Sequence, residues 1–515
     1  MNTKTSLPCV KRLFMVIVFL LFATTGAFAQ NLFFFHDYSG DHLWSNPENW
    51  FERLKPTDET AEVGVHTDVI VDEDVDIQRI WDFTNCNLTV QAEKKLTIRG
   101  GISWNLGGDI ILEDGAQLLH QEYYLAAKVL KRIAAYDESH NLWNLIASPM
   151  LNDVTPSMEN GFLTDLESGY SLFAFDEEGQ EWINFKEAPF ALVNEHSYLY
   201  ANALDTTLVF DGNIRSAAAP AEVQLSYHAS TNNQAGCNLV GNPFPFNAFA
   251  DRSYYVLNEN SNSLIAVALS EHTPIVPCMG IIVKAKEECE TITFNSEASV
   301  SSVNQGYIEI TAAKSDSAYL VLDQALLSFN AGDDMGKLAL FEDAPRVYFT
   351  KENQDLAIMS IDSTDIVPLR FKAEKNGNYV LHFELKELNL NYLHLIDNMT
   401  GANIDLLTTP DYTFSATTDG YASRFKLVFD PHYGIEEGDS STGSGTFAYY
   451  SDGCIIINDV ETCQGASLQI VDMTGRIINC RDAASHVSTI GMTPGVYVLR
   501  LNDGNTIRTQ KIVIE

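Results

Sequence analysis

The densest set of potential ligands in this sequence is Asp72-Glu73-Asp74-Val75-Asp76. It opens like a calcium loop, with carboxylates at positions 1, 3 and 5. The glycine and glutamate that such a loop needs at positions 6 and 12 are Ile77 and Phe83, so it is not an EF-hand. On a strand these acids share one face, which is ordinarily solvated. Ca2+ is the one cofactor the sequence leaves in view, here and at Asp333-Asp334. Trp44, Trp50 and Trp104 fall near predicted turns, as does Trp182, where an indole could stack on a sugar ring. The first three are the candidate glycan-stacking residues. No G-x-S-x-G, H-E-x-x-H, Walker or dinucleotide fingerprint is present. The twelve histidines are scattered, with no i,i+4 pair. The reading therefore assigns no catalytic, cofactor-binding or metal-ligating set and leans away from an enzyme.

The elements that would position these side chains are strands. Short apolar or alternating runs are broken by Gly, Asn, Asp and Pro, and long helical periodicity is nearly absent. Val69-Ile70-Val71, Leu88-Thr89-Val90 and Ile110-Ile111-Leu112 recur at a step of about 20 residues, the period of a parallel β-solenoid coil. Trp143-Asn144-Leu145-Ile146-Ala147-Ser148-Pro149 matches Cys237-Asn238-Leu239-Val240-Gly241-Asn242-Pro243. Ser197 to Ala201 aligns with Gly280 to Lys284, and Thr207 to Phe210 with Thr291 to Phe294, which predicts two tandem β-modules. Farther on, Tyr379, Leu381, Phe383 and Leu385 alternate with Val380, His382 and Glu384, the period-2 burial of an antiparallel sandwich. Gly434 to Gly445 is acidic and rich in Gly and Ser, a linker by composition.

A formal charge of −37, from 32 Lys+Arg against 69 Asp+Glu, repels phosphate backbones and anionic lipid. Nucleic acid is thereby excluded as a partner. Lys4, Lys11 and Arg12, the apolar run Leu13 to Phe22 and the small residues Ala27 and Ala29 form a secretory signal, cleaved between Ala29 and Gln30. Seven cysteines remain beyond Cys9, and Cys278 and Cys289 flank a predicted strand pair where a bridge could form.

The tail carries the most specific pattern. Val471 to Arg476 reads V-D-x-x-G-R, Pro494 to Tyr497 reads P-G-V-Y, and Lys511 leads a final apolar strand. In order and spacing these motifs resemble the type A sorting domain of type IX secretion. The resemblance implies export through the periplasm, with the tail presented to the translocon. The sorting residues would be Asp472, Gly475, Arg476, Pro494, Gly495, Tyr497 and Lys511. It also implies a processing enzyme that cuts near the linker and attachment to surface lipopolysaccharide. The W-x₄-N-W opening at Trp44 to Trp50 is similar to the heads of secreted β-helical surface proteins. Asp205-Thr206-Thr207, Asp316-Ser317-Ala318 and Asp362-Ser363-Thr364 resemble the short O-glycosylation sequence of such bacteria.

The expected organisation is all-β and multidomain. It runs from a signal peptide (1–29) through a short solenoid-like head (30–128) to β-modules at 129–214 and 215–302. An antiparallel sandwich (303–432), the linker (433–446) and a small β-sandwich sorting domain (447–515) follow. The expected role is a non-enzymatic, adhesin-like or structural protein of the cell surface, with an unnamed glycan or protein as ligand. The alternative is a protein that binds or cleaves glycans through its head.

Overall fold

The computed structural model describes residues 31–42, 46–50, 67–77, 86–99, 108–121, 125–136, 143–165, 169–229, 234–258, 263–298, 306–315, 322–338, 344–362, 366–420, 422–430, 448–451, 454–457, 467–472, 476–482, 486–488, 492–502 and 507–514. Among them every regular element longer than a 3₁₀ turn is a strand, as the patterning predicts. No described helix is long and apolar enough to cross a membrane.

The head comprises β1 (Asn31–Phe35), β2 (Thr67–Val71), β3 (Val75–Ile77), β4 (Cys86–Val90), β5 (Lys95–Ile98), β6 (Ile110–Leu112) and β7 (Gln117–Leu119). Strands β1, β2, β4 and β6 pair in parallel in one sheet, and β3, β5 and β7 in a second. Val69 lies beside Leu88 and Leu88 beside Ile110, so one coil is the sequence period. All three are buried, as are Leu96 and Leu118 on the facing sheet. The solenoid expectation holds because only every second residue of each short strand needs to be apolar.

The first module follows with β8 (Leu125–Ile133), β9 (Asn144–Ala147), β10 (Tyr170–Asp176), β11 (Glu181–Asn184), β12 (Ser197–Asn202) and β13 (Thr206–Ile214). Strand β8 pairs in parallel with β6 and antiparallel with β13. The solenoid sheet thus runs into the module, and the boundary expected at 128/129 falls inside β8. The second module holds β14 (Ala221–Gln224), β15 (Cys237–Gly241), β16 (Phe249–Ala250), β17 (Tyr254–Asn258), β18 (Ser263–Val267), β19 (Gly280–Lys284) and β20 (Thr291–Asn295). Its sheet order, β18-β17-β19-β15, repeats β11-β10-β12-β9 of the first module, and β14 pairs with β20 as β8 does with β13.

The two modules meet about a pseudo-two-fold axis. Ile146 bridges Met279, and Val240 bridges His196. The Ala147 N–H donates to the Cys278 carbonyl at 3.0 Å, and the Gly241 N–H donates to the Glu195 carbonyl at 2.9 Å. Exchanging the modules turns each contact into the other. Glu195 and Cys278 both hold left-handed backbone, φ 74° and 60°. A Cβ on Gly280 would lie 2.3 Å from the Ser197 Cβ, and one on Gly241 would lie 2.6 Å from that of Ala147.

The body ends in β21 (Tyr307–Lys314), β22 (Leu322–Ser328), β23 (Met335–Gly336), β24 (Arg346–Lys351), β25 (Gln354–Ser360), β26 (Ile366–Lys372), β27 (Gly377–Lys386), β28 (His394–Asp397), β29 (Ala402–Asp405), β30 (Asp411–Ala416) and β31 (Phe425–Val428). These form one eleven-stranded sheet, antiparallel except where β22 meets β25. It rolls around Ile310, Leu327, Phe349, Leu381, Phe383 and Leu427. Its two ends are tied by one buried cation. The Arg424 Nε and Nη2 donate to Asp397, at the end of β28, at 2.9 and 2.7 Å. The Arg424 Nη1 donates to the Ser415 carbonyl on β30 at 2.6 Å. Tyr412 of β30 completes the carboxylate's shell at 2.8 Å.

The rolled sheet docks on the second module through a shared core that includes Tyr255, Leu264, Ile282, Leu326, Met335 and Ile358. Asp333 sits at its edge, 1% exposed. It accepts from the Ser270 hydroxyl at 2.7 Å and N–H at 3.1 Å, and its carbonyl accepts from Ser253. The tail folds separately, as β32 (Ala448–Ser451), β33 (Cys454–Ile457), β34 (Ser467–Asp472), β35 (Ile477–Asp482), β36 (His486–Ser488), β37 (Gly495–Asn502) and β38 (Ile507–Ile514). Its two sheets enclose their own core of Ile455, Leu468, Ile470, Leu499, Ile512 and Ile514.

Two outcomes follow. Gly280→Val drives a branched side chain into Ser197 and should lower the stability of the body by roughly 1–3 kcal/mol, read from its urea midpoint. Arg424→Ala strands a buried carboxylate and should cost about 3–5 kcal/mol in the same assay. Burial raises the Asp397 pKa, but its bonds to Arg424 and Tyr412 prevail and hold it below the usual carboxylate value. The Arg424-dependent stability should therefore be full above the unfolded carboxylate's pKa and fade as pH falls through the lower folded value. An acid titration of wild-type and variant stability that stays parallel contradicts this.

Candidate sorting domain

Two of the tail's three motifs fall at strand ends. Asp472 ends β34, where its N–H donates to the Arg476 carbonyl at 3.0 Å. Its Oδ1 accepts the Arg476 N–H at 3.0 Å, and Oδ2 faces the guanidinium Nε at 3.3 Å. Asp472 and Arg476 thus close a hairpin whose tip, including Gly475, lies outside the described residues. The aspartate supplies a turn-closing acceptor that backbone alone would not, and the arginine remains 76% exposed.

Pro494 is exposed and directly precedes β37, whose first residue Gly495 lies beside Ile514. Tyr497 points into the core and donates its hydroxyl to the Thr493 carbonyl at 2.6 Å. Its ring thereby anchors the turn that Pro494 and Gly495 make. Strand β38 alternates, with Ile512 and Ile514 inward and Lys511 and Val513 outward. Lys511 lies beside Val498, two positions from the row in which exposed Arg500 lies beside Thr509. Gln510, which the motif reading passes over, joins the two sheets by accepting the Ala448 N–H at 2.9 Å and donating to its carbonyl. No periodicity marks a single amide as such a clamp. Ala29 and Gln30 lie outside the described residues.

In the head, Trp50 is a correction. It is 1% exposed and meets Phe35 edge-on at 5.5 Å, so no ring face is free to stack on a sugar. It is buried because its backbone bridges Phe35 and closes the end of the solenoid. Trp44 and Trp104 lie outside the described residues. The acidic run is tied to neighbouring segments. Asp72 pairs with His36 at 2.9 Å, Glu73 with Lys94 at 3.2 Å and Asp76 with Arg99 at 2.5 Å. Asp74 accepts the Lys95 N–H at 2.9 Å. Each acid but Asp72 thus binds the coil one period on. The serines hold Asp333, and Lys351 holds Asp334 at 2.7 Å.

Cys278 and Cys289 are not bridged. Cys278 is buried at the module interface, where burial pushes its thiol up to about 12, while Cys289 is exposed. Of the three hydroxyl sequences, Ser317 and Ser363 lie outside the described residues, and the Thr206 hydroxyl donates to the Gly161 carbonyl at 2.8 Å. Trp143 and Trp182 instead border a cleft of about 170 Å³ between the modules, with Leu145, Leu199, Leu257, Leu264 and Ile282 as its other walls. The leucine and isoleucine walls carry no polar group, which leaves the two indole N–H groups as the side-chain donors of the lining.

Residues 452–515 match the family model described as a secretion system C-terminal sorting domain. The tail is thus a sorting domain, and the chain a cargo of type IX secretion. No curated protein matches the chain.

Tyr497→Phe removes the bond that holds Thr493 and should destabilise the tail by about 1 kcal/mol. The tail transition in a urea curve of the intact chain measures it, with the body transition as the internal reference.

Proposed function

We propose that this protein is a non-enzymatic, adhesin-like or structural component of the bacterial surface, exported by type IX secretion. The single observation that carries the reading is the sorting domain, which has its own core and follows a long continuous β-array. A leader cut between Ala29 and Gln30 takes the chain to the periplasm. There the translocon reads the tail through Asp472, Gly475, Arg476, Pro494, Gly495, Tyr497 and Lys511. A processing enzyme cuts within 433–446 and joins the product to surface lipopolysaccharide. The array then holds the head away from the cell to meet an extracellular ligand. Tying the acidic run and Asp333 into structural bonds supports a load-bearing body over one that uses those carboxylates in chemistry.

Deleting residues 452–515 in a type IX-competent host should leave the body folded and trapped in the periplasm. Its appearance in the medium would sink the export reading. Reproducible hydrolysis of a polysaccharide or protein substrate by the purified body would sink the non-enzymatic one.

A further inference from the structure

A buried amine and a largely buried carboxylate meet in the rolled sheet. Asp323 lies at the start of β22, and Lys337 directly follows β23. The turn between them brings the Lys337 Nζ to 2.7 Å from the Asp323 Oδ1. The lysine side chain is 2% exposed and the aspartate's 13%. Nζ also donates to the Gln324 carbonyl at 2.8 Å, and the Asp323 Oδ2 accepts the Val347 N–H at 2.7 Å. The lysine backbone is fixed at both ends. Its N–H donates to the Asp355 carbonyl at 2.7 Å, and its own carbonyl accepts from the Lys284 Nζ at 2.9 Å. Both side chains are thus held by hydrogen bonds beyond the ion pair itself.

Holding two full charges out of water is costly even when they are paired. An ammonium and a carboxylate in contact contain all the atoms of an amide plus one water. We propose that Lys337 and Asp323 condense to an intramolecular amide, a covalent cross-link between β22 and the segment after β23. The ammonium passes a proton to Oδ1, and the freed Nζ pair attacks Cγ. Negative charge gathers on Oδ2, where the Val347 N–H already points. The Nζ–Cγ bond forms and the Cγ–Oδ1 bond breaks. Oδ1 leaves as water, carrying that first proton and a second from the nitrogen. No other reactant is consumed, and two charges disappear from the interior.

Burial supports the step. It lowers the Lys337 pKa against the opposing pull of Asp323, which favours the neutral amine as nucleophile. Fixed contact supplies the rest, because the attacking and accepting groups need no diffusive encounter. The bond would close the loop that carries Asp333 and pin the surface on which the second module docks. It does not rest on how the chain is exported.

Intact mass of the purified, reduced and alkylated protein tests the proposal. The wild-type chain should be lighter than its sequence by one water. Trypsin does not cut after an acylated lysine, so residues 315–346 should emerge as one peptide short of one water. Lys337→Arg keeps the buried charge pair and should restore both the full mass and the cut after position 337. A wild-type chain at full mass overturns the proposal. So does a one-water loss with normal cleavage after Lys337, which would place the loss elsewhere.

Discussion

Strand β8 hydrogen-bonds in parallel to the last coil of the solenoid along one edge and antiparallel to β13 along the other. A strand has only two edges, and an open one is a hazard outside the cell. By using both, β8 fixes the head to the first module with main-chain bonds that do not depend on surface side chains. The first module then passes the constraint on through backbone contacts at the pseudo-two-fold axis. The second passes it to the rolled sheet through the common core around Tyr255 and Leu326. The body is thus a chain of sheets locked edge to edge and face to face, with no step that depends on a flexible connection among the described residues.

The joints differ in chemistry. Head to module is a continuous ladder, whereas module to module is close backbone approach. The last joint adds polar anchors, namely Ser270 on Asp333 and Tyr255 between Gly336 and Leu338. Anchors of this kind define register where apolar packing alone would let faces slide. Arg424 has the same role at the seam of the rolled sheet, where it and Tyr412 together tie one sheet end to the other.

The repeating units were legible in the sequence because repetition is itself a pattern. The coil period places Val69, Leu88 and Ile110 in one column, and the Trp143 and Cys237 segments became β9 and β15. Alternation at Tyr379 to Leu385 identified the inward face of β27. Two of the tail motifs were legible because they close a turn or sit at a strand end, Asp472 to Arg476 and Pro494 to Tyr497, whereas Lys511 lies within β38. What remained hidden was pairing across distance. Nothing near Trp50 says that Phe35 will cover it, and nothing near Asp323 says that Lys337 will reach it. The partners of the acidic run were hidden for the same reason. His36, Lys94 and Arg99 come from other segments, and local spacing carries no trace of them.

The axis between the modules has a further consequence. A symmetric pair of separate chains must place the same residue on both sides of its axis. Here Ala147 faces Gly241 and Ser197 faces Gly280, so each half has been fitted to a partner unlike itself. Fusion into one polypeptide keeps the unlike halves paired one to one, since neither half is shaped to fit its own twin. Having specialised, the halves are no longer interchangeable: a copy swapped into the other's place would bring two side chains, or two gaps, to a seat shaped for one of each.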